Sequence, residues 1–126
     1  MDDLFKDITA RIGIFYQTLS GKADSVRNWT MFKSIFIPGA VLSIRRKDGQ
    51  GNPVIAAFTV EKYIQNLEAF LSTRDFFEFP VANDVRIFGE IACVINRYEA
   101  FRDNARQAFI KRGTNLINLV FDGSDW

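Results

Sequence analysis

Glu78, Tyr98 and Glu99 are the residues of this chain whose types and spacing could do acid/base chemistry. They stand in two otherwise apolar stretches, FFEFPVANDVRIFGE and IACVINRYEAF. A carboxyl group in apolar surroundings resists ionisation, so one of the two could hold its proton near neutral pH and exchange it with a ligand. A hairpin turning at Phe88-Gly89 places Glu78 roughly opposite Glu99 and Phe79 opposite Tyr98. Like charges directly across a strand pair are unfavourable, so arginines must stand near them. Arg97 lies on the strand face of Glu99, and Arg112 can reach from the next strand. The same residues also read as a structural arginine–carboxylate network on the sheet or at a dimer interface, and both readings stay open. Asn96 and Tyr98 share the other face of their strand with Ala92 and Val94. If that face is concave, Tyr16, Trp29, Asn96, Arg112 and Asn115 are the candidate ligand-binding residues. The alternative is ordinary core aromatics with satisfied polar tips.

Composition narrows the chemistry. The 126 residues contain no histidine, so no Ser-His or Cys-His nucleophile pair and no imidazole base or zinc ligand can exist. The carboxylates show no metal-ligand spacing, so neither a metal nor a cofactor is expected. Cys93 is the only cysteine, which excludes an intramolecular disulfide and reads as a small core residue. Net charge is +1, and the basic run Arg45-Arg46-Lys47 reads as a solvated hairpin tip rather than a nucleic-acid contact. The acidic start MDDLFKD is not a signal peptide, and no apolar run approaches the roughly 20 residues of a membrane span. A single cytoplasmic domain over residues 1–126 is expected. Thirteen phenylalanines favour an apolar pocket for a hydrophobic small molecule, or a sheet-to-sheet dimer interface.

These residues need elements to position them. Phe5, Ile8, Ile12, Phe15 and Leu19 form one helical stripe, with Asp2 or Asp3 as cap and Ser20-Gly21 as stop. A second helix is predicted over 23–32, with Val26 and Trp29 inward, and Pro38-Gly39 predicts a turn. Residues 40–46 and 53–58 flank KDGQGN as a β-hairpin. Thr59 caps a third helix, in which Val60, Tyr63, Ile64, Leu67, Phe70 and Leu71 repeat to about residue 73. Three strands follow, at about 76–87, 90–102 and 106–121. Pro80 predicts a bulge or an edge, and Gly113 a bulge or sharp bend. The order predicts an α+β domain in which a curved antiparallel sheet wraps helices of the first half.

The strings Phe76-Phe77-Glu78, Gly89-Glu90-Ile91-Ala92, Tyr98-Glu99, Arg112-Gly113-Thr114-Asn115 and Asp122-Gly123-Ser124-Asp125-Trp126 carry a likeness. Together with Trp29 and Phe36-Ile37-Pro38-Gly39, they make the chain resemble SnoaL-like proteins of the nuclear-transport-factor-2-like superfamily. The resemblance implies a cystatin-like α+β cone. It implies a function less narrowly, because the superfamily includes isomerases, dehydratases, cyclases, oxygenase subunits and non-catalytic binding modules. Its histidine-dependent dehydratases cannot be templates for a chain without histidine. Its ketosteroid isomerases work with an aspartate base and a tyrosine–aspartic acid oxyanion hole, and no counterpart of that aspartate pair is found. The expectation is a homodimer with an apolar pocket, doing cofactor-free isomerisation or dehydration if it is catalytic. The alternative is a binding or dimeric assembly module.

Overall fold

Residues 2–126 are described by a computed structural model. The first helix, α1 (Asp2–Leu19), buries Ile8, Ile12, Tyr16 and Leu19 along one face. Phe5 at the start of the stripe stays exposed. The helix already includes Asp2, so its capping position lies outside the described residues. Beyond its end, Gly21 and Phe76 exchange backbone hydrogen bonds of 2.8 and 2.9 Å. Ser20 adds a second tie, its Oγ accepting from the Glu78 N–H at 2.9 Å. The C-terminal end of α1 is therefore fastened to the start of a strand 55 or more residues later in the chain.

The second helix, α2 (Trp29–Ser34), is shorter than predicted and starts later. Asn28 caps it by accepting from the Met31 N–H at 3.0 Å. The residues before Asn28 are drawn into a loop by Arg27, whose guanidinium donates to the Leu19 carbonyl at 2.8 Å. That tie leaves Val26 fully exposed instead of inward. The Pro38-Gly39 turn forms as expected, with the Ala40 N–H donating to the Ile37 carbonyl and Gly39 at φ +80°.

Strands β1 (Val41–Lys47) and β2 (Pro53–Thr59) make a two-stranded antiparallel sheet. The Asp48 carboxylate organises its loop by accepting from the Gln50 and Asn52 N–H groups, both at 2.9 Å. Thr59 then caps α3 (Val60–Leu71), accepting from the Lys62 N–H at 3.1 Å. A second antiparallel sheet holds β3 (Phe77–Phe88), β4 (Ile91–Phe101) and β5 (Phe109–Val120) in that order. Among the described residues the fold is thus α+β, with three helices and two antiparallel sheets. Among the described residues, no helix is long and apolar enough to cross a membrane.

Two apolar clusters divide the interior. In one, Leu19, Phe32, Val60, Ile64, Leu71, Phe76 and Ala100 join the three helices to the near end of the three-stranded sheet. In the other, Ile8, Ile12 and Tyr16 lie on Ala92, Val94 and Trp126, so α1 covers the inner face of that sheet. Phe15 packs against both.

Of two expectations about the sheet, one holds and one does not. The bulge expected at Pro80 is present, with the register shifting between Pro80 and Ala82. Gly113, in contrast, lies in unbroken register opposite Tyr98, and the irregularity of β5 falls between the partners of Ala100 and Phe101. Gly113 serves a close approach instead. A Cβ there would stand 2.7 Å from Tyr98 Cε1 and nearer still to the rest of the ring's far edge. The aromatic ring thus lies across bare backbone, which only glycine permits.

Candidate functional site

The turn between β3 and β4, together with the bulge in β3, decides which charged residues meet. Phe88 pairs with Ile91, so the two turn residues are Gly89 and Glu90, one position later than expected. Gly89 takes φ +62°, which suits glycine in a tight hairpin. With the bulge at Val81, Glu78 comes to lie opposite Ala100, and Phe79 opposite Glu99. Successive strand residues face opposite ways, so Glu78 and Glu99 belong to different faces of the sheet. The expected network of Glu78, Glu99 and Arg112 does not form. Arg112 and Glu99 sit opposite each other on the outer face at 4.0 Å, with side chains 77% and 35% exposed. Arg97 shares that outer face.

The inner face collects the other candidates. Asn83, Asn96 and Asn115 are register partners, one row of amides across all three strands. Asn96 is fully buried, and its Nδ2 donates to Asn83 Oδ1 at 2.8 Å. Tyr16 descends from α1 onto this row. Its hydroxyl donates to Asn96 Oδ1 and accepts from Asn115 Nδ2 at 2.8 Å. Each polar atom of this junction that is named here has a partner, as burial requires. On the side of the row towards the strand turn lie Val85, Val94 and Ile117. On the other side come Tyr98 over Gly113, and then Glu78, Ala100 and Lys111. The rings of Tyr16 and Tyr98 are 5.9 Å apart.

Glu78 is the unusual member. It is 9% exposed, and its backbone is held by Ser20. Its carboxyl accepts no hydrogen bond from any described residue; the hydrogen bonds of this face stop at Tyr16, Asn83, Asn96 and Asn115. Burial pushes the Glu78 carboxyl up to about 7, against the weaker opposing pull of Lys111. Burial also raises the phenols of Tyr16, Tyr63 and Tyr98, and the nearby charge of Glu78 raises each further. All three phenols therefore keep their protons across the biological range.

Tyr63 and Lys111 are members of this cluster that the sequence reading did not select. Tyr63 looked like one more apolar position of α3, and only the packing of that helix reveals its nearness to Glu78. Trp29 packs edge-on against Phe32 in the cluster that also holds Tyr63 at its margin. Two surface clefts, of about 290 and 240 Å³, are lined by other residues. The first lies between α1 and the chain's end, around Arg11, Phe121, Asp125 and Trp126. The second lies beside the loop that Arg27 organises. Among the described residues, no group of three or more acidic or cysteine side chains could hold a metal ion.

No protein-family model matches the chain, and neither a curated protein nor a solved structure does. The class is therefore defined by geometry alone: an α+β domain whose helix-covered sheet face carries an amide row and, beyond it, an unpartnered buried carboxyl among phenols.

Proposed function

We propose that this chain is a small-molecule-binding domain of the SnoaL-like kind, with Glu78 as the acid/base group of its site. The observation that carries the reading is the state of Glu78: 9% exposed, without a hydrogen-bond donor of its own, and holding its proton to about pH 7. Purely structural buried carboxylates gather donors or a cation. A carboxyl that titrates near neutrality is instead suited to accept and return a proton. Tyr63 and Tyr98, kept protonated, can donate to a ligand oxygen on which charge develops. Tyr16 cannot, because its proton is committed to Asn96. Its part, with Asn96 and Asn115, is to hold α1 and the sheet in register. Cofactor-free isomerisation or dehydration of a hydrophobic small molecule is the chemistry this set serves. Glu99 and Arg112, on the outer face, take no part in it.

The order of helices, hairpin and long strands supports the nuclear-transport-factor-2-like cone, with the sheet curling round the helices at the Val81 bulge. A cytoplasmic location goes with this reading. The test is proton exchange. The full chain is incubated in D2O with a mixture of small aromatic and steroid-like ketones, and deuterium uptake at carbon is followed by NMR. Uptake that is lost in Glu78→Gln supports the acid/base role, and no uptake with any compound removes it.

The second reading is a non-catalytic, dimeric assembly module, and one observation favours it. On the outer face of the three-stranded sheet, Phe88 and Leu116 are 68% and 64% exposed, and Ile91, Ile95 and Val120 lie beside them. These exposed apolar residues, in two rows on either side of Arg86, Cys93 and Asn118, suit contact with a second copy of the chain. Sedimentation at tens of micromolar should give twice the 14.4 kDa of one chain, and Leu116→Asp should return it to monomer. A monomeric parent protein would remove this reading.

A further inference from the structure

We propose that the outer face of the three-stranded sheet, at the end away from the Gly89-Glu90 turn, is a docking surface for an acidic peptide segment of a partner protein. It lies on the face opposite Glu78 and at the other end of the sheet from the Phe88–Ile91–Val120 row, so it goes beyond both readings above. Two bulges build it. Val81 in β3 and Ile110 in β5 have no register partner. Each extra residue reverses the alternation of its strand beyond that point, so Phe79 and Phe109 come onto the face of Glu99 and Phe101. Phe101 then stands 6.1 Å from Phe79 and 5.7 Å from Phe109, centroid to centroid.

Arginines lie on these rings. The guanidinium carbon of Arg106 is 3.9 Å from the centroid of Phe79, and that of Arg112 is 5.4 Å from the centroid of Phe109. A guanidinium laid on a ring is held by cation–π attraction and keeps N–H donors at its edge, in a fork that matches a carboxylate. The sheet supplies one carboxylate, that of Glu99, register partner of both Phe79 and Arg112 and 4.0 Å from Arg112. Arg97 stands one row further along the same face. Among the described residues the ion pairs are Arg11–Asp125, Arg86–Asp84 and Arg112–Glu99, so Arg97 and Arg106 belong to none. Three exposed guanidinium groups around one carboxylate leave a surplus of positive charge. Arg106 holds its place at φ +59°, a conformation that suits glycine or asparagine. The loop fixes it there, with Asp103 accepting from the Ala108 N–H at 2.8 Å and the Arg102 N–H donating to the Ala108 carbonyl at 2.8 Å. A side chain kept on an unfavourable backbone points to a use for that side chain.

The arrangement favours a peptide over other polyanions. Phe79 and Arg112 stand on the two strands that flank β4, about 10 Å apart by strand spacing. Glu99 fills the gap. Nucleic acid carries a phosphate at every linkage and would lay one against Glu99. A peptide places a neutral residue there and carboxylates to either side. Phe109, 47% exposed, suits contact with an apolar residue of the same segment. The same patch of a second copy would bring its own surplus of positive charge against this one.

The test uses three fluorescein-labelled peptides of one length, titrated into the full chain. In the first, glutamate alternates with leucine and serine; in the others, glutamine or lysine replaces the glutamate. Fluorescence anisotropy reads affinity, and NMR shifts at Phe79, Arg106, Phe109 and Arg112 read the place of binding. At low salt the glutamate peptide should bind about tenfold more tightly than the glutamine peptide, and the lysine peptide should not bind. The margin should vanish near about 0.5 M salt. Arg106→Gly, which suits the left-handed backbone, and Arg112→Ala should each weaken the glutamate peptide about fivefold. Glu99→Gln should tighten it, and Arg45→Ala, in the other sheet, should leave it unchanged. Equal binding of the glutamate and glutamine peptides would overturn the inference, as would equal losses in Arg45→Ala and Arg112→Ala. Shifts confined to another surface, or tighter binding of an oligothymidine of matched charge, would also overturn it. So would a dimer that Arg112→Ala dissociates in sedimentation, which would put a second copy on this surface.

Discussion

Glu78 should make the protein less stable as the pH rises from 4.5 to 7. The sign follows from linkage. An ordinary glutamic acid titrates at 4.5, and burial holds Glu78 to about 7 in the folded chain. Below 4.5 the folded and unfolded chains both carry the proton, and stability is complete in this respect. Above 4.5 the unfolded chain gains by ionising, and the folded chain cannot follow until about pH 7. Each pH unit across that window is worth about 1.4 kcal/mol, so roughly 3 kcal/mol present at pH 4.5 is gone above pH 7. The chain has no histidine, and the Asp48 and Asp122 carboxylates, held low by backbone N–H groups, act at more acidic pH. Urea unfolding at pH 5.0 and 7.5 measures the effect. Glu78→Gln, which cannot ionise, should abolish the slope and be the more stable protein at pH 7.5 by about 2–3 kcal/mol. The reasoning is refuted if the parent protein is equally stable at both pH values, or if the glutamine variant shows the same decline.

Arg112→Ala should cost less than about 1 kcal/mol by urea unfolding, since its 4.0 Å contact with Glu99 is largely solvated; a loss of 2 kcal/mol or more would restore a buried network. Gly113→Ala should cost about 1–3 kcal/mol, because its methyl group meets the Tyr98 ring. Most of that cost should vanish when Tyr98 is also alanine, and a double-mutant cycle without coupling would contradict it. Tyr16→Phe should cost about 1–3 kcal/mol, because it removes the donor to buried Asn96 Oδ1 and the acceptor of Asn115. A neutral result by thermal unfolding would mean that water or a side-chain shift replaces the hydroxyl.

The elements were legible where physics is local. The stripe of α1, the Thr59 cap, the Asp48 hairpin loop and the strand at 91–101 each follow from spacing or from a cap within a few residues. The shared face of Asn96 and Tyr98 was legible for the same reason, because alternation within one strand is rigid. Relations between strands were less so. The Gly89-Glu90 turn slides the pairing by two residues and keeps faces unchanged, and the extra residue of the bulge at Val81 then moves Glu78 and Glu99 from partners to opposite faces. Pro80 signals that a bulge or an edge can occur, but not that an extra residue is inserted there, and that insertion sets the face of Glu78. The start of α2 failed for a different reason: Arg27 reaches back to the Leu19 carbonyl, a tertiary tie that overrides the local periodicity of Val26 and Trp29. Gly113 could have been read better. A strand glycine signals either a bulge or a close approach, and a tyrosine at the register partner favours the second.

The amide row explains why the titratable end of the sheet can exist beside a dry core. Tyr16 gives its single proton to Asn96, and Asn96 gives one of its own to Asn83. Asn115 gives one to Tyr16. This directional chain leaves Tyr16 with no proton to offer Glu78. A Tyr16 donating to the carboxylate would stabilise the charged form and lower the carboxyl from about 7. The row therefore does two things at once. It fastens α1 to all three strands by polar contacts that no apolar packing could orient, and it keeps the Tyr16 hydroxyl from donating to Glu78. What is left near the carboxyl is Tyr63, Tyr98 and the charge of Lys111. Glu78 is thus left without a donor by the arrangement of its neighbours rather than by their absence.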